Sequence, residues 1–234
     1  MNLIQKGHGH THRGIIGIES AIVLIAFVIV AAALAFVVLN MGFSTTQKAK
    51  TTIVSTLQQA GTSLVVEGKV IGSSYIPGGG VSSGLNATSI PIKITAGGDS
   101  VNLDPSITAV KYLSNQITYD NIYAGTLQAG GTFSSLETAT GAAANPPFDY
   151  ITVDPFTDAG WPRETTAFIY WSIAANSNDI LEAGEHANLA IIFARGDLPA
   201  ELDTFRAEVI LASGAALTVE RNIPNLTSQV VDLG

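Results

Sequence analysis

Residues 13–39 read RGIIGIESAIVLIAFVIVAAALAFVVL, and the later part of that stretch, 21–39, is nineteen apolar residues without a break. Coiled as an α-helix, such a run reaches about 28 Å, close to the thickness of a bilayer's hydrocarbon core. A secretory signal peptide has a shorter apolar region of about 7 to 15 residues, closed by a small-residue cleavage site. Here the run is longer, and NMGFSTTQKAK follows it at 40–50. Further on, Ile53, Leu57, Ala60 and Leu64 recur at the three- and four-residue spacing of one helical face, with Thr, Ser and Gln between them. The pattern predicts one helix from about Ile15 to Val66, roughly 80 Å long. Its first half is apolar all round and its second half is amphipathic.

Working outward, the texture changes at Gly68 to Gly, Ser, Thr and Pro punctuation between short runs rich in β-branched and aromatic residues. Strands are expected at Thr88–Thr95, Ile107–Leu113, Ile117–Tyr123, Thr166–Ile173, Asn188–Ala194, Phe205–Ala212 and Leu217–Arg221, and a surface loop at 125–150. The fold class is therefore α+β: a long N-terminal apolar helix followed by an all-β head domain, an immunoglobulin-like sandwich or a barrel. The expected division is a leader over 1–14, a helix over 15–66 and the β domain over 67–234. The β domain expressed from about Gly68 is expected to fold by itself.

Composition narrows the function. Only 13% of the 234 residues are charged, where a soluble domain carries about a quarter, and 47% are hydrophobic. A formal charge of −8 with no basic stripe argues against nucleic acid, whose phosphates select clustered Lys and Arg. The absence of cysteine excludes disulfides, thiolate metal sites and a cysteine nucleophile.

Immediately before the apolar run stands His12-Arg13-Gly14-Ile15-Ile16-Gly17-Ile18-Glu19. This resembles the class III signal of archaeal flagellins and other type IV pilin-like proteins, in which a basic residue and Gly precede the cut. The likeness continues through GFSTTQKAKTTI (42–53), and NSNDILEAGEHANLAIIF (176–193) and LTVERNIP (217–224) resemble head-domain segments of the same family. The leader departs from the pattern in carrying GHGHTH where the family is richer in Lys and Arg. The resemblance implies a prepilin-like peptidase cutting between Gly14 and Ile15 next to Arg13, so that the charged leader leaves and the apolar helix stays. Gly17 and Glu19 then become the third and fifth mature residues. A carboxylate in an apolar helix is costly to bury unpaired. Its expected partner is the new amino group of Ile15, and the alternative is a solvated helix-start acid favoured by the helix dipole.

The remaining candidate sites are modest. Alternating His8, His10 and His12 could hold a transition metal but lie in the discarded leader. Asn176, Asn178, Asp179 and Glu182 gather oxygen donors that a structural calcium would use, without the spacing of an EF-hand; a polar turn with Gly184 at positive φ is the plainer reading. Asn86-Ala-Thr88 and Asn225-Leu-Thr227 match the N-glycosylation pattern, with Asn86 ranked first for its Gly-rich neighbourhood. No catalytic constellation emerges: the mature chain keeps one histidine, His186, and Asp149, Asp154 and Asp158 sit in a Pro- and Gly-interrupted segment. No cofactor is required.

These readings converge on an extracellular, structural, non-enzymatic subunit that waits in the membrane and then polymerises. The helix moves from lipid into a bundle of identical or related subunits, driven through Gly17, Glu19, Ile22, Leu24, Phe27, Val30, Leu34 and Phe36. By the resemblance, the filament is an archaellum that a membrane motor assembles and rotates for swimming. An archaeal adhesion pilus is the second reading, and a membrane-anchored binding or hydrolytic domain the third.

Overall fold

The computed structural model describes residues 13–61, 64–76, 80–127, 131–146, 148–157 and 160–234, with the backbone alone at 13–16 and 58–61. The leader histidines and Asp158 lie outside the described residues. The chain divides into two units, an N-terminal helix and a β-rich head.

Helix α1 spans Arg13–Gly61, 49 residues. It starts before the expected cleavage point, so Arg13, Gly14 and Ile15 are already helical. It stops five residues short of Val66, and the next elements explain why. Leu64, expected on the amphipathic face, instead opens a strand in which Leu64, Val65 and Val66 pair with Ile94, Lys93 and Ile92. Three residues rich in β-branched side chains gain more from a sheet edge and a buried Leu64 than from one further helical turn.

In chain order the head carries β1 Leu64–Val66, β2 Ile71–Ser73, β3 Tyr75–Ile76, β4 Gly80–Val81, β5 Ala87–Ile94, β6 Val101–Asn102, β7 Ala109–Ser114, β8 Thr118–Tyr119 and β9 Tyr123–Leu127. After these come α2 Leu136–Ala143, β10 Thr166–Ile173, β11 Ile180–Leu181, β12 His186–Ile192, β13 Thr204–Ile210, β14 Leu217–Asn222 and β15 Val230–Asp232. A seven-stranded sheet runs β15-β2-β5-β12-β10-β9, with β1 also on β5, and a four-stranded sheet runs β14-β13-β7-β8. All pairs in the larger sheet are antiparallel except β10 with β9. Since β15 and β9 end the sheet without pairing to each other, it is open, and the barrel alternative is set aside.

The two sheets share a core. Ile90, Ile92, Ile169, Trp171, Leu189 and Ile191 of the larger sheet meet Val110, Tyr112, Phe205, Val209 and Val219 of the smaller. A second cluster forms on the opposite face of the larger sheet, where Phe168, Tyr170, Ala190 and Ile192 are covered by Ala139 and Ala143 of α2 and by Ile151. Strands β10 and β12 are therefore buried on both faces, which is why FIYW and LAII read as nearly unbroken apolar runs.

Segment 125–150 corrects the expectation of a surface loop. Strand β9 runs on to Leu127, and α2 starts at a capping box in which the Ser135 hydroxyl accepts from Thr138 N and the Thr138 side chain returns to the Ser135 backbone. Small residues in LETATGAA let this helix lie close on the sheet, and that same composition made it look like a loop. The single strand expected at Ile117–Tyr123 divides into β8 and β9, because Asn121 Oδ1 accepts from both Val110 N and Tyr123 N. The four strands of 64–81 and β15 carried too few residues to be seen in the sequence pattern.

Candidate assembly helix and surface sites

Between Ser20 and Asn40, α1 has no side chain that can donate or accept a hydrogen bond. Thirteen large apolar side chains from Ile22 to Leu39 each keep more than half their surface exposed, among them Ile22, Leu24, Phe27, Val30, Leu34 and Phe36. Helices that pack on a globular core expose a polar face. Here the exposed apolar surface covers every side, at a cost in water of roughly 1.5 to 3 kcal/mol per large side chain. Such a helix requires surroundings that cover it all round.

Two further features fit close contact with other helices. The hydroxyls of Thr45, Thr46 and Thr52 donate to the carbonyls of Met41, Gly42 and Lys48 at 2.8, 2.8 and 2.9 Å, so these three polar groups of the second half are satisfied by the helix's own backbone. Ala31, Ala32, Ala33 and Ala35, with Gly17 and Gly42, provide small surfaces of the kind that let membrane helices approach closely. A helical glycine costs about 1 kcal/mol against alanine. A Cβ added at Gly17 or Gly42 meets nothing within 4 Å, so within this chain that cost is uncompensated. Glu19 is exposed and is the only acidic residue of α1.

In the head, the candidate sites fall differently from expectation. Asn86, ranked first for glycosylation, is only 1% exposed. Its Nδ2 donates to the Tyr75 carbonyl at 2.7 Å, and its main-chain carbonyl accepts from Phe193 N at 3.0 Å. The nitrogen a glycan would occupy thus already holds the chain together in the interior, which removes Asn86 as an acceptor in the folded domain. Asn225 and Thr227 are both exposed, so the ranking reverses.

The oxygen-rich segment forms a turn stabilised by its own bonds. Asn176 Oδ1 accepts from Asn178 N at 3.2 Å and Asn178 Oδ1 from Ile180 N at 2.9 Å, while Asp179 Oδ1 accepts from the Thr126 hydroxyl. The organising residue is Glu185, 2% exposed, whose carboxylate accepts from Ala175 N at 2.7 Å and Glu182 N at 2.9 Å. Gly184 has φ 95°. Among the described residues no three His, Asp or Glu side chains gather around one point.

His186 does not face a nucleophile. Its Nδ1 pairs with one oxygen of Glu67, whose other oxygen accepts from Lys93 Nζ. The Lys93 hydrogen bond is the main cause holding the Glu67 carboxyl below its usual range, with the His186 charge adding to it and partial desolvation opposing. Asp154 is buried, accepting from Phe156 N at 3.0 Å and the Thr157 hydroxyl at 2.8 Å, as a residue that shapes a turn.

The family model for archaeal-type flagellin matches residues 14–221. A protein described as probable flagellin 1 of Aeropyrum pernix is 39% identical over 218 residues, which is 91% of this chain and 92% of that one. Among solved structures, the archaeal flagellum of Methanospirillum hungatei aligns with a TM-score of 0.57 at 24% identity, covering 92% of this chain and 98% of that one. An archaeal flagellin of Methanocaldococcus jannaschii aligns with a TM-score of 0.53 at 14% identity, covering 74% and 96%. These two show the fold alone.

Proposed function

The chain belongs to the archaeal-type flagellin family, and from that premise we propose that it is the structural subunit of an extracellular archaeal swimming filament, polymerised through α1. The observation that carries this reading is a helix exposed and apolar on every side from Ile22 to Leu39, which needs a like surface around it. Before assembly the same length serves as a single membrane span, since residues 17–57 include a segment long and apolar enough to cross a bilayer. Cleavage between Gly14 and Ile15 by a prepilin-like peptidase frees an amino group one helical turn before Glu19, close enough for the two to pair within or between subunits. Transfer into the filament then replaces lipid contacts by helix contacts without exposing the run to water. Repeated head-to-tail addition that does not close into a ring gives a helical polymer. A membrane motor assembles and turns this polymer, and the subunit contributes no chemistry and needs no cofactor. Deleting the gene tests the reading: surface filaments and swimming should both disappear and return with the intact gene. Loss of attachment with swimming intact would favour an adhesion pilus instead.

A further inference from the structure

Resting on that filament reading, we propose that the helices of neighbouring subunits are held in register by an ion pair, Glu19 of one copy with Lys48 of another. Among the described side chains of α1, Glu19 is the only anion, and Lys48 and Lys50 are the only cations. The 28 residues between Glu19 and Lys48 carry no charge. All three charged side chains are exposed, and none forms an ion pair among the described residues.

Glu19 and Lys48 lie about 43 Å apart along the helix axis, so they cannot meet within one chain. That separation matches the roughly 40 to 45 Å of a bilayer with its headgroups. In the membrane each charge therefore sits at a water interface and needs no partner. Transfer into a helix bundle takes that water away, and an unpaired charge among apolar groups is costly. The amino group freed at Ile15 meets one side of Glu19 but adds a further cation and leaves Lys48 without an anion. A carboxylate has two oxygens and accepts from both, and Glu19 is the only carboxylate that a neighbouring α1 offers.

The two surfaces also match in shape and chemistry. Glu19 stands at the end of a shallow groove lined by Ser20, Val23, Leu24 and Phe27. A lysine suits it, with an alkyl stem to lie along the apolar part and an ammonium to reach the carboxylate. One turn before and after Lys48, the hydroxyls of Thr45, Thr51 and Thr52 donate to the carbonyls of Met41 and Lys48, so the surface around the ammonium is small and has those protons already engaged.

Helix geometry selects Lys48 over Lys50. A separation of 29 residues is about eight whole turns, which puts Lys48 on the same side of the helix as Glu19, whereas Lys50 is turned to the far side. Two copies on that side, offset by about 43 Å in opposite directions, stand about 87 Å apart along the axis, more than the roughly 70 Å of helix from Ile15 to Gly61. They follow one another without overlap, and the helix beside them bridges their ends, its Glu19 on one and its Lys48 on the other. Unlike groups at two ends of one face make a heterologous contact, which propagates through a polymer rather than closing a pair. At zero offset, parallel copies would set Glu19 against Glu19, a repulsive arrangement.

Charge exchange tests the pair. Glu19→Lys and Lys48→Glu are introduced singly and together, and sheared filaments are compared with subunit retained in the membrane fraction, with N-terminal sequencing to follow cleavage. Each single variant should lower filament yield by on the order of a hundredfold, the effect of leaving a buried charge unpaired, and the double variant should recover most of it. Single variants of normal yield, or a double variant cleaved like the unsubstituted chain yet no better than the singles, would overturn the pair while leaving the filament reading intact. Absence of filaments from the unsubstituted chain would overturn both. Should the double variant not be cleaved, the absence of cysteine supplies a second arm. Subunits carrying Glu19→Cys with Lys48→Cys are co-expressed in equal amount with unsubstituted subunits, and the mixed filaments are mildly oxidised. Because the two positions are far beyond the roughly 7 Å limit for a disulfide within one chain, any bridge joins two molecules. This pair should give linked dimers, and Glu19→Cys with Lys50→Cys monomer only. Mixed filaments without dimers, or with as many from the Lys50 pair, would sink the proposal.

Discussion

Replacing Val30 by lysine places one charge near the middle of the apolar run. Val30 is 57% exposed in the isolated subunit, and its neighbours three and four residues away are Ala26, Phe27, Ala33 and Leu34. The only carboxylate on the helix, Glu19, is eleven residues distant, about 16 Å along the axis and out of pairing range. A lysine at the centre of an apolar helix costs about 2.5 to 3.5 kcal/mol by insertion measurements. Losing the burial of valine adds about 1.5 kcal/mol. The sum, about 4 to 5 kcal/mol per subunit, weakens incorporation by on the order of a thousandfold. The assay is electron microscopy and sedimentation of sheared filaments from cells carrying Val30→Lys, beside Val30→Leu as a size-matched apolar control. The leucine variant should assemble normally. Subunit retained in the membrane fraction should be measured as well, since it separates failure to insert from failure to polymerise. Filaments of normal abundance and length from the lysine variant would refute the reasoning.

A head fragment starting at residue 62 should fold and remain monomeric, whereas one starting at Gly68 lacks β1 and the buried Leu64 and should lose about 2 to 4 kcal/mol, read as a lower Tm. Glycopeptide mapping of native filaments should find any N-glycan on Asn225 with Asn86 bare, and Asn86→Ala should lower the Tm by the equivalent of about 1 to 3 kcal/mol for a lost interior hydrogen bond. Glu67 and Asp232 have folded carboxyl pKa values lowered chiefly by hydrogen bonds from Lys93 and Lys69. Their stabilisation is present above the unfolded pKa near 4 and is lost as pH falls through the lower folded values. Head-domain Tm should therefore drop as acid is added below about pH 4, and Glu67→Gln should flatten that drop.

How much was legible in the sequence depended on how far each signal extended along the chain. The α1 pattern runs over dozens of residues, and β10, at Thr166–Ile173, coincides with its expected bounds because its middle, Ala167–Trp171, is buried on both faces and reads as an unbroken apolar run. The helix end was misplaced because Leu64 satisfies a helical spacing and a strand edge equally, and only its partner Ile94, thirty residues on, decides between them. Helix α2 was hidden for a related reason: its Ala and Gly residues are chosen for closeness to the sheet, a property of the packed state rather than of local propensity. The glycosylation ranking failed on burial, since Asn86 sits among Gly and Ser that look like surface yet donates to Tyr75 inside the head.

The central claim is that α1, freed at Ile15, forms the filament's core. Electron cryomicroscopy of filaments sheared from the cell surface, with N-terminal sequencing of the same sample, tests it most directly. The account predicts a subunit beginning at Ile15, with its apolar helix bundled along the axis and the β-rich head outermost. A subunit that retains residues 1–14, or filaments whose core is built from another segment or another protein, would contradict it.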